Sequence, residues 1–417
     1  MRIPPARAAL ALAALTAAAA PAAAPAATTT AAKPPQVRAP AAILVEPATG
    51  DVVFRRNADQ RRQIASTTKL MTALVTLEHA SLDDVMTTIN YHGSSVESLA
   101  GFRGGERVTV CDLLRALLVT SANDAAATLA QRVAGSRQAF VKLMNAKARQ
   151  LKLTDTHYGN PIGLDAPDNY STATDLAKLT LILRRNAFFR ETTDRPRVTL
   201  KSGNHPRTFV NRNVLVRNVP AVNGVKTGHT STAGYILVGS ASRAGVTVVS
   251  VVLGDPSESA RDSDALDLLK YGLSRYHVVT AVKKDQVIGH VALSHRDEQV
   301  ELVAGQTIKR TARRGDKLVV TVSGAPTTID GPLPKGTRVG TVTVTQRGKV
   351  VARVPLQTAD AVDAATFFDR LRDWLGNPVT LILLGAFALC SLYLVLLRRR
   401  AVRRRQSRRT GRGASVA

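Results

Sequence analysis

Ser66-Thr67-Thr68-Lys69 sets a hydroxyl and an amine three residues apart. They stand at the head of a run, Leu70 to Glu78, whose apolar residues recur at helical spacing. Residues i and i+3 share a helix face, so Ser66 and Lys69 come within reach of each other. Ser66 falls at or inside the first turn, where backbone N–H groups are unpaired. A lysine held beside a hydroxyl in a site poor in water gives up its proton more readily and serves as a base. Taken alone, the tetrapeptide reads more readily as a serine cap on an ordinary helix. Two further words carry comparable chemistry. Ser121-Ala122-Asn123 offers a second hydroxyl and an amide, and Lys226-Thr227-Gly228-His229-Thr230 offers a cation, two hydroxyls and a glycine. Each has an ordinary alternative: a cap for a helix over 124–134, and a polar turn beside a strand. Three such words in one chain are far more specific than any one of them.

The elements that must position these words follow from pattern. Ala42 to Glu46 and Asp51 to Phe54 predict a strand pair around the turn Pro47 to Gly50. Between about 82 and 190 the pattern is mainly helical, with an apolar face over Val110 to Leu118 and helices over Asp124 to Ala134 and Phe140 to Leu151. Ser171 to Asp175 predicts the cap of a helix ending at Leu183. Strands return from about 197. Ala233 to Ala241 and Val246 to Leu253 predict an antiparallel pair, and Arg261 to Tyr271 a closing helix. The order predicts an antiparallel sheet flanked by helices, with a helical insertion, over 39–275. Residues 276–357, rich in Val, Thr and Gly, predict a small all-β domain.

The ends predict topology. Residues 1–27, with Arg2 and Arg7 before an alanine-rich stretch and small-residue cleavage sites, predict a signal peptide, and 28–38 a flexible lead-in. Residues 361–376 predict an amphipathic helix anchored by Val362, Phe367, Phe368, Leu371, Trp374 and Leu375. Val379 to Leu397 contains no charge, long enough for one bilayer crossing, and the arginine-rich 398–417 marks the cytoplasmic side. The expected location is the cell membrane, single-pass, with the folded domains outside.

The net charge of +26 over 417 residues raises nucleic-acid binding as a candidate. The nine arginines of the last 20 residues, with Arg2 and Arg7, have the topological explanation and leave about +15 for the rest. Aromatic residues make up only 4%, and no zinc-ligand spacing occurs, so no nucleic acid, metal or cofactor is expected. Two cysteines, Cys111 and the membrane-run Cys390, predict no disulfide framework. His157, Asn160 and Tyr170 are assigned structural roles.

Taken with their neighbours, the three words resemble the active-site set of the penicillin-recognising serine acyl-transferases, above all the low-molecular-mass D-alanyl-D-alanine carboxypeptidases. Asn160-Pro161-Ile162-Gly163-Leu164, Tyr170-Ser171-Thr172-Ala173 and Ala233-Gly234-Tyr235 add to the resemblance. It covers about 39–275, and it implies a β-lactamase/transpeptidase-like α/β fold with Lys226 to Thr230 on a sheet-edge strand. Under it, Ser66 is the nucleophile, Lys69 its base, and Ser121 a proton relay to the leaving amine. Asn123 holds a substrate amide or the Lys69 amine. Lys226 keeps the field positive, Thr227 and Thr230 offer hydroxyls to a terminal carboxylate, and Gly228 lets the backbone approach the substrate. The backbone N–H groups of Ser66 and His229 become the oxyanion donors. The implied partners are peptidoglycan stem peptides ending in D-Ala-D-Ala, β-lactams as covalent inhibitors, and the lipid bilayer.

Four activities compete. They are carboxypeptidase, endopeptidase or transpeptidase, β-lactamase, and a catalytically dead wall-binding protein. No glutamate lies between Glu106 and Glu191, which argues against the β-lactamase class that uses one there to activate water. Ile64 and Asn169 stand where many relatives carry proline and histidine.

Overall fold

The computed structural model describes residues 33–410, so the expected signal peptide lies outside the described residues. Strands β1 (Ala41–Glu46) and β2 (Asp51–Arg56) open the chain. A 3-10 turn, Ala65–Thr68, leads into helix α1 (Lys69–His79). The helical block holds α2 (Val110–Arg115), a π turn over Ala116–Thr120, α3 (Asn123–Ala134), α4 (Arg137–Gln150) and α5 (Ala173–Leu183). Then come β3 (Val222–Thr230), β4 (Gly234–Arg243), β5 (Val246–Asp255) and α6 (Glu258–Arg275).

The five strands form one antiparallel sheet in the order β2-β1-β5-β4-β3, which leaves β3 on an edge. Alternation along each strand divides the apolar side chains between two cores. Ile43, Ile236, Val238, Val249 and Val251 face the helical block with Leu70 and Met71. Leu44, Leu237, Val248 and Val252 face α6 with Leu268 and Leu269. Because both faces are covered, β4 and β5 read as nearly continuous apolar runs. The turn between them, Ala244-Gly245, has φ of +50° and +80°, the pattern of a tight hairpin whose twist matches its strands.

Several elements depart from expectation. The end of the lead-in is fixed. Val37 is buried against the α6 face, and the backbone N–H groups of Arg38 and Ala39 both donate to Asp264 of that helix. The closing helix is longer than Arg261 to Tyr271, because the Ser257 hydroxyl caps it from Ala260 N. The amphipathic helix spans only Phe367–Gly376, started by a capping box between Thr366 and Asp369. Val362, expected on its apolar face, instead lies buried in the β domain and bridges to Leu333.

The β domain opens with the strand Tyr276–Val282, which pairs with Ile308–Arg313. Its larger sheet has six strands and its own core around Val291, Leu302, Val342 and Leu356. The last helix, Pro378–Thr410, contains a segment, Pro378–Arg403, long and apolar enough to cross a membrane.

At the C-terminal end of β5, Asp255 is buried and neither carboxylate oxygen has a hydrogen-bond donor among the described residues. Burial first, then the neighbouring Asp264 carboxylate, push it up to about 7, with Arg38 and Arg261 pulling part of the way back. The folded protein therefore keeps a proton that the unfolded chain releases near pH 4. Stability falls as pH rises from about 4 to about 7, and the full penalty applies above that. Asp255→Asn should be neutral near pH 4 and stabilising by about 2–4 kcal/mol at pH 8. Urea unfolding at the two pH values checks this.

Candidate active site

Ser66 sits in the 3-10 turn, partly exposed, and Lys69 is the first residue of α1, wholly buried. Lys69 Nζ lies 3.0 Å from Ser66 Oγ and also donates to the carbonyl of Ile162. Burial is the main force on this amine. With the positive charge of Arg212 it brings Lys69 down to about 7, against the opposing pull of Glu97 and Asp124. A neutral amine 3 Å from a hydroxyl can accept its proton. Acylation of Ser66 should therefore rise tenfold per pH unit below about 7 and level off above it. Stopped-flow acylation across pH 5 to 9 measures this, and Lys69→Arg, which stays charged, should remove the plateau.

The Ile162 carbonyl reaches Lys69 because Asn160 folds the loop over itself. Asn160 Oδ1 accepts from the backbone N–H groups of Ile162, Gly163 and Leu164, while its Nδ2 donates to Leu164 O. The structural role assigned to Asn160 thus has a specific object. Asn169 Nδ2 donates to Thr68 Oγ1, tying a second loop to the Ser66 turn.

Ser121 follows the π turn in a left-handed conformation, φ +66°, and its buried hydroxyl has no hydrogen-bond partner among the described residues. The cap reading of Ser121 to Asn123 does not hold: the N-cap of α3 is Ala122, with no side-chain cap bond. Asn123 Nδ2 donates to Glu97 at 2.7 Å, and no bond joins it to Lys69.

The third word runs along β3. Lys226 is buried, and its amine donates to Thr227 O at 2.8 Å. Burial, then the charge of Lys69, hold Lys226 well below the usual lysine range. A Cβ on Gly228 would lie 3.3 Å from Ile64 O and from Ser66 N. Gly228 thus lets the strand lie close against the nucleophile turn. His229 stacks on Tyr235 at 4.0 Å between centroids. Thr230 is already engaged. Its hydroxyl donates to Asp165 at 2.7 Å and accepts from Ala233 N, so it serves as a latch between β3 and the 160s loop and is not free for a carboxylate.

Two cavities, of about 500 and 340 Å³, meet at Ser66, Val96, Ser98 and His229. The first is also lined by Glu97, Asn123 and Asp165, the second by Ser121, Thr227, Arg212 and Arg261. Sequence reasoning missed both arginines and Glu97. Arg261 is paired with Glu258 and Asp262. Arg212 is exposed and makes no ion pair among the described residues. The buried side chains of Asn211 and Asn213, which donate to Thr193 O, Arg195 O and Gly224 O, hold its backbone in place. The polar triplet Asn-Arg-Asn was the one available signal. No group of residues suited to a metal ion occurs among the described residues.

Residues 28–257, over half the chain, match the family model for D-alanyl-D-alanine carboxypeptidase. The chain belongs to that family. Residues 276–364 match the C-terminal domain of penicillin-binding protein 5. The carboxypeptidase DacD of Escherichia coli K12 is 32% identical over 363 residues, covering 82% of this chain and 91% of the relative. DacF of Bacillus subtilis 168 is 29% identical over 348 residues, covering 81% and 90%. Among solved structures, penicillin binding protein 6B from E. coli gives a TM-score of 0.59 at 29% identity, covering 79% of this chain and 98% of that one. Penicillin binding protein 5 from Haemophilus influenzae gives 0.58 at 29%, covering 80% and 99%. Similarity to the full-length relatives thus spans both the sheet domain and the β domain described above.

Proposed function

We propose that this chain is a serine-type D-Ala-D-Ala carboxypeptidase that removes the terminal D-alanine from peptidoglycan stem peptides and is acylated by β-lactams. The observation that carries the reading is the buried Lys69 amine 3.0 Å from Ser66 Oγ. Ser66 attacks the penultimate carbonyl as Lys69 takes its proton, and the backbone N–H groups of Ser66 and His229 receive the oxyanion. The proton passes through Ser121 to the departing D-alanine amine. Water then hydrolyses the ester. Asn123 holds a substrate amide. Thr227 supplies the hydroxyl and Arg212 the exposed cation for the terminal carboxylate.

The localisation belongs to the same proposal. A signal peptide over 1–27, a crossing over 379–397 and a cytoplasmic tail over 398–417 put the catalytic domain outside, with the helix Phe367–Gly376 lying at the bilayer surface. The exposed Phe367, Phe368 and Trp374 on that helix support this, one residue from the start of the apolar helix.

The test is incubation of the ectodomain with a peptide ending in D-Ala-D-Ala and, separately, with fluorescent penicillin. Release of D-alanine and a long-lived label on Ser66 are expected. Rapid penicillin turnover would favour a β-lactamase, transfer to an added amine a transpeptidase, and absence of label a binding protein.

A further inference from the structure

Glu97 lies in the cleft with every feature of a built-in support. Its Oε2 accepts from Asn123 Nδ2 at 2.7 Å and from the Tyr91 hydroxyl. Its Oε1 accepts from Ser94 N at 3.0 Å and from Ser94 Oγ at 3.3 Å. Burial works to raise its pKa, but the bonds from Tyr91, Ser94 and Asn123 outweigh it and hold the carboxyl below its usual range. It is ionised at neutral pH, and an ionised carboxylate only accepts hydrogen bonds.

That fact has a geometric consequence. A primary amide has two faces, one donating and one accepting, and can sit either way round. An acceptor-only neighbour permits one of the two. The Asn123 NH2 must point to Glu97, so the orientation of this amide in the cavity it lines with Ser66 is set. We infer that Glu97 is the positioning residue of this site, fixing the orientation in which the Asn123 amide is held in the cleft beside Ser66. Glu97 touches neither Ser66 nor Lys69 by hydrogen bond among the described residues, so it acts through Asn123. The inference rests on the carboxypeptidase reading above.

A double-mutant cycle tests it on the ectodomain, read as kcat/KM for D-alanine release at pH 8.5, where Lys69 is neutral with or without the Glu97 charge. Glu97→Gln keeps the size but offers both a donor and an acceptor, so both amide orientations become available. It should lower kcat/KM about 10- to 100-fold. On an Asn123→Ala background the same change should cost less than about twofold, because the group it positions is gone. The full cost persisting on that background would overturn the inference.

A second readout separates positioning from mere folding. Arg212, Asp124 and Glu97 are the charges acting on Lys69. Removing the Glu97 charge should move the acidic limb of acylation to lower pH, whereas a structural defect would lower the rate and leave the limb in place. Should Glu97→Gln not fold, Glu97→Asp, which withdraws the carboxylate by one methylene, goes through the same cycle with the same two outcomes. Fluorescent penicillin on the unaltered protein keeps the two readings apart. No label on Ser66 defeats the carboxypeptidase reading, while a label with additive costs defeats only the role of Glu97.

Discussion

Ser66→Ala should abolish release of D-alanine and labelling by penicillin, lowering turnover by at least ~10^4-fold with the fold intact. No neighbouring hydroxyl can replace it. Thr67 Oγ1 is committed to Ile64 O, and Thr68 Oγ1 accepts from Asn169. Ser121 Oγ is buried within the wall of the cleft. The fold should survive because Ser66 is partly exposed and its only side-chain partner among the described residues is Lys69, which keeps its bond to Ile162 O. An intact melting curve beside complete loss of label is the expected result. Residual labelling elsewhere would mean that another residue is the nucleophile.

Gly163→Ala should damage the same chemistry without touching a catalytic side chain. The residue has φ +85°, and a Cβ there would lie 2.1 Å from the carbonyl oxygen of Ala65 and 3.0 Å from Ser66 Cα. Both are backbone atoms, so no side chain can swing aside. The loop must retreat, which withdraws Ile162 O from Lys69 and loosens the nucleophile turn. We expect a loss of about 2–4 kcal/mol in stability and at least ~100-fold in acylation rate. Gly135 separates the two causes. It also has positive φ, +76°, but among the described residues beyond its own chain neighbours no atom lies within 4 Å of its would-be Cβ. Gly135→Ala should therefore cost about 1 kcal/mol and leave acylation unchanged. Wild-type acylation by Gly163→Ala would show that the loop is not needed to hold the turn.

Much of this site was legible in the sequence because it is written in side chains at short spacing. Ser66 and Lys69 share a turn, and Thr172 caps its helix through Asp175 N as the local pattern implies. What escaped is written differently. The Ile162 carbonyl is backbone, which no residue type announces. Glu97 and Arg212 reach the cleft from stretches far away in the chain, so no local spacing marks them. Thr230 carried the right group, but its hydroxyl is occupied by Asp165, a contact 65 residues away. Val362 fitted a helical stripe, yet a long-range bridge to Leu333 claimed it first. In each case tertiary contact overrode a local pattern that was itself read correctly.

A sheet that ends on an unpaired strand invites any extended chain to add to it, and most proteins guard such edges against association. Among the described residues β3 is unpaired on one side, and its Gly228 lies so close to the nucleophile turn that a Cβ there would come within 3.3 Å of Ile64 O and Ser66 N. This edge of the sheet, open to an extended chain, therefore runs beside the nucleophile, so that strand pairing along β3 would deliver a peptide carbonyl to Ser66.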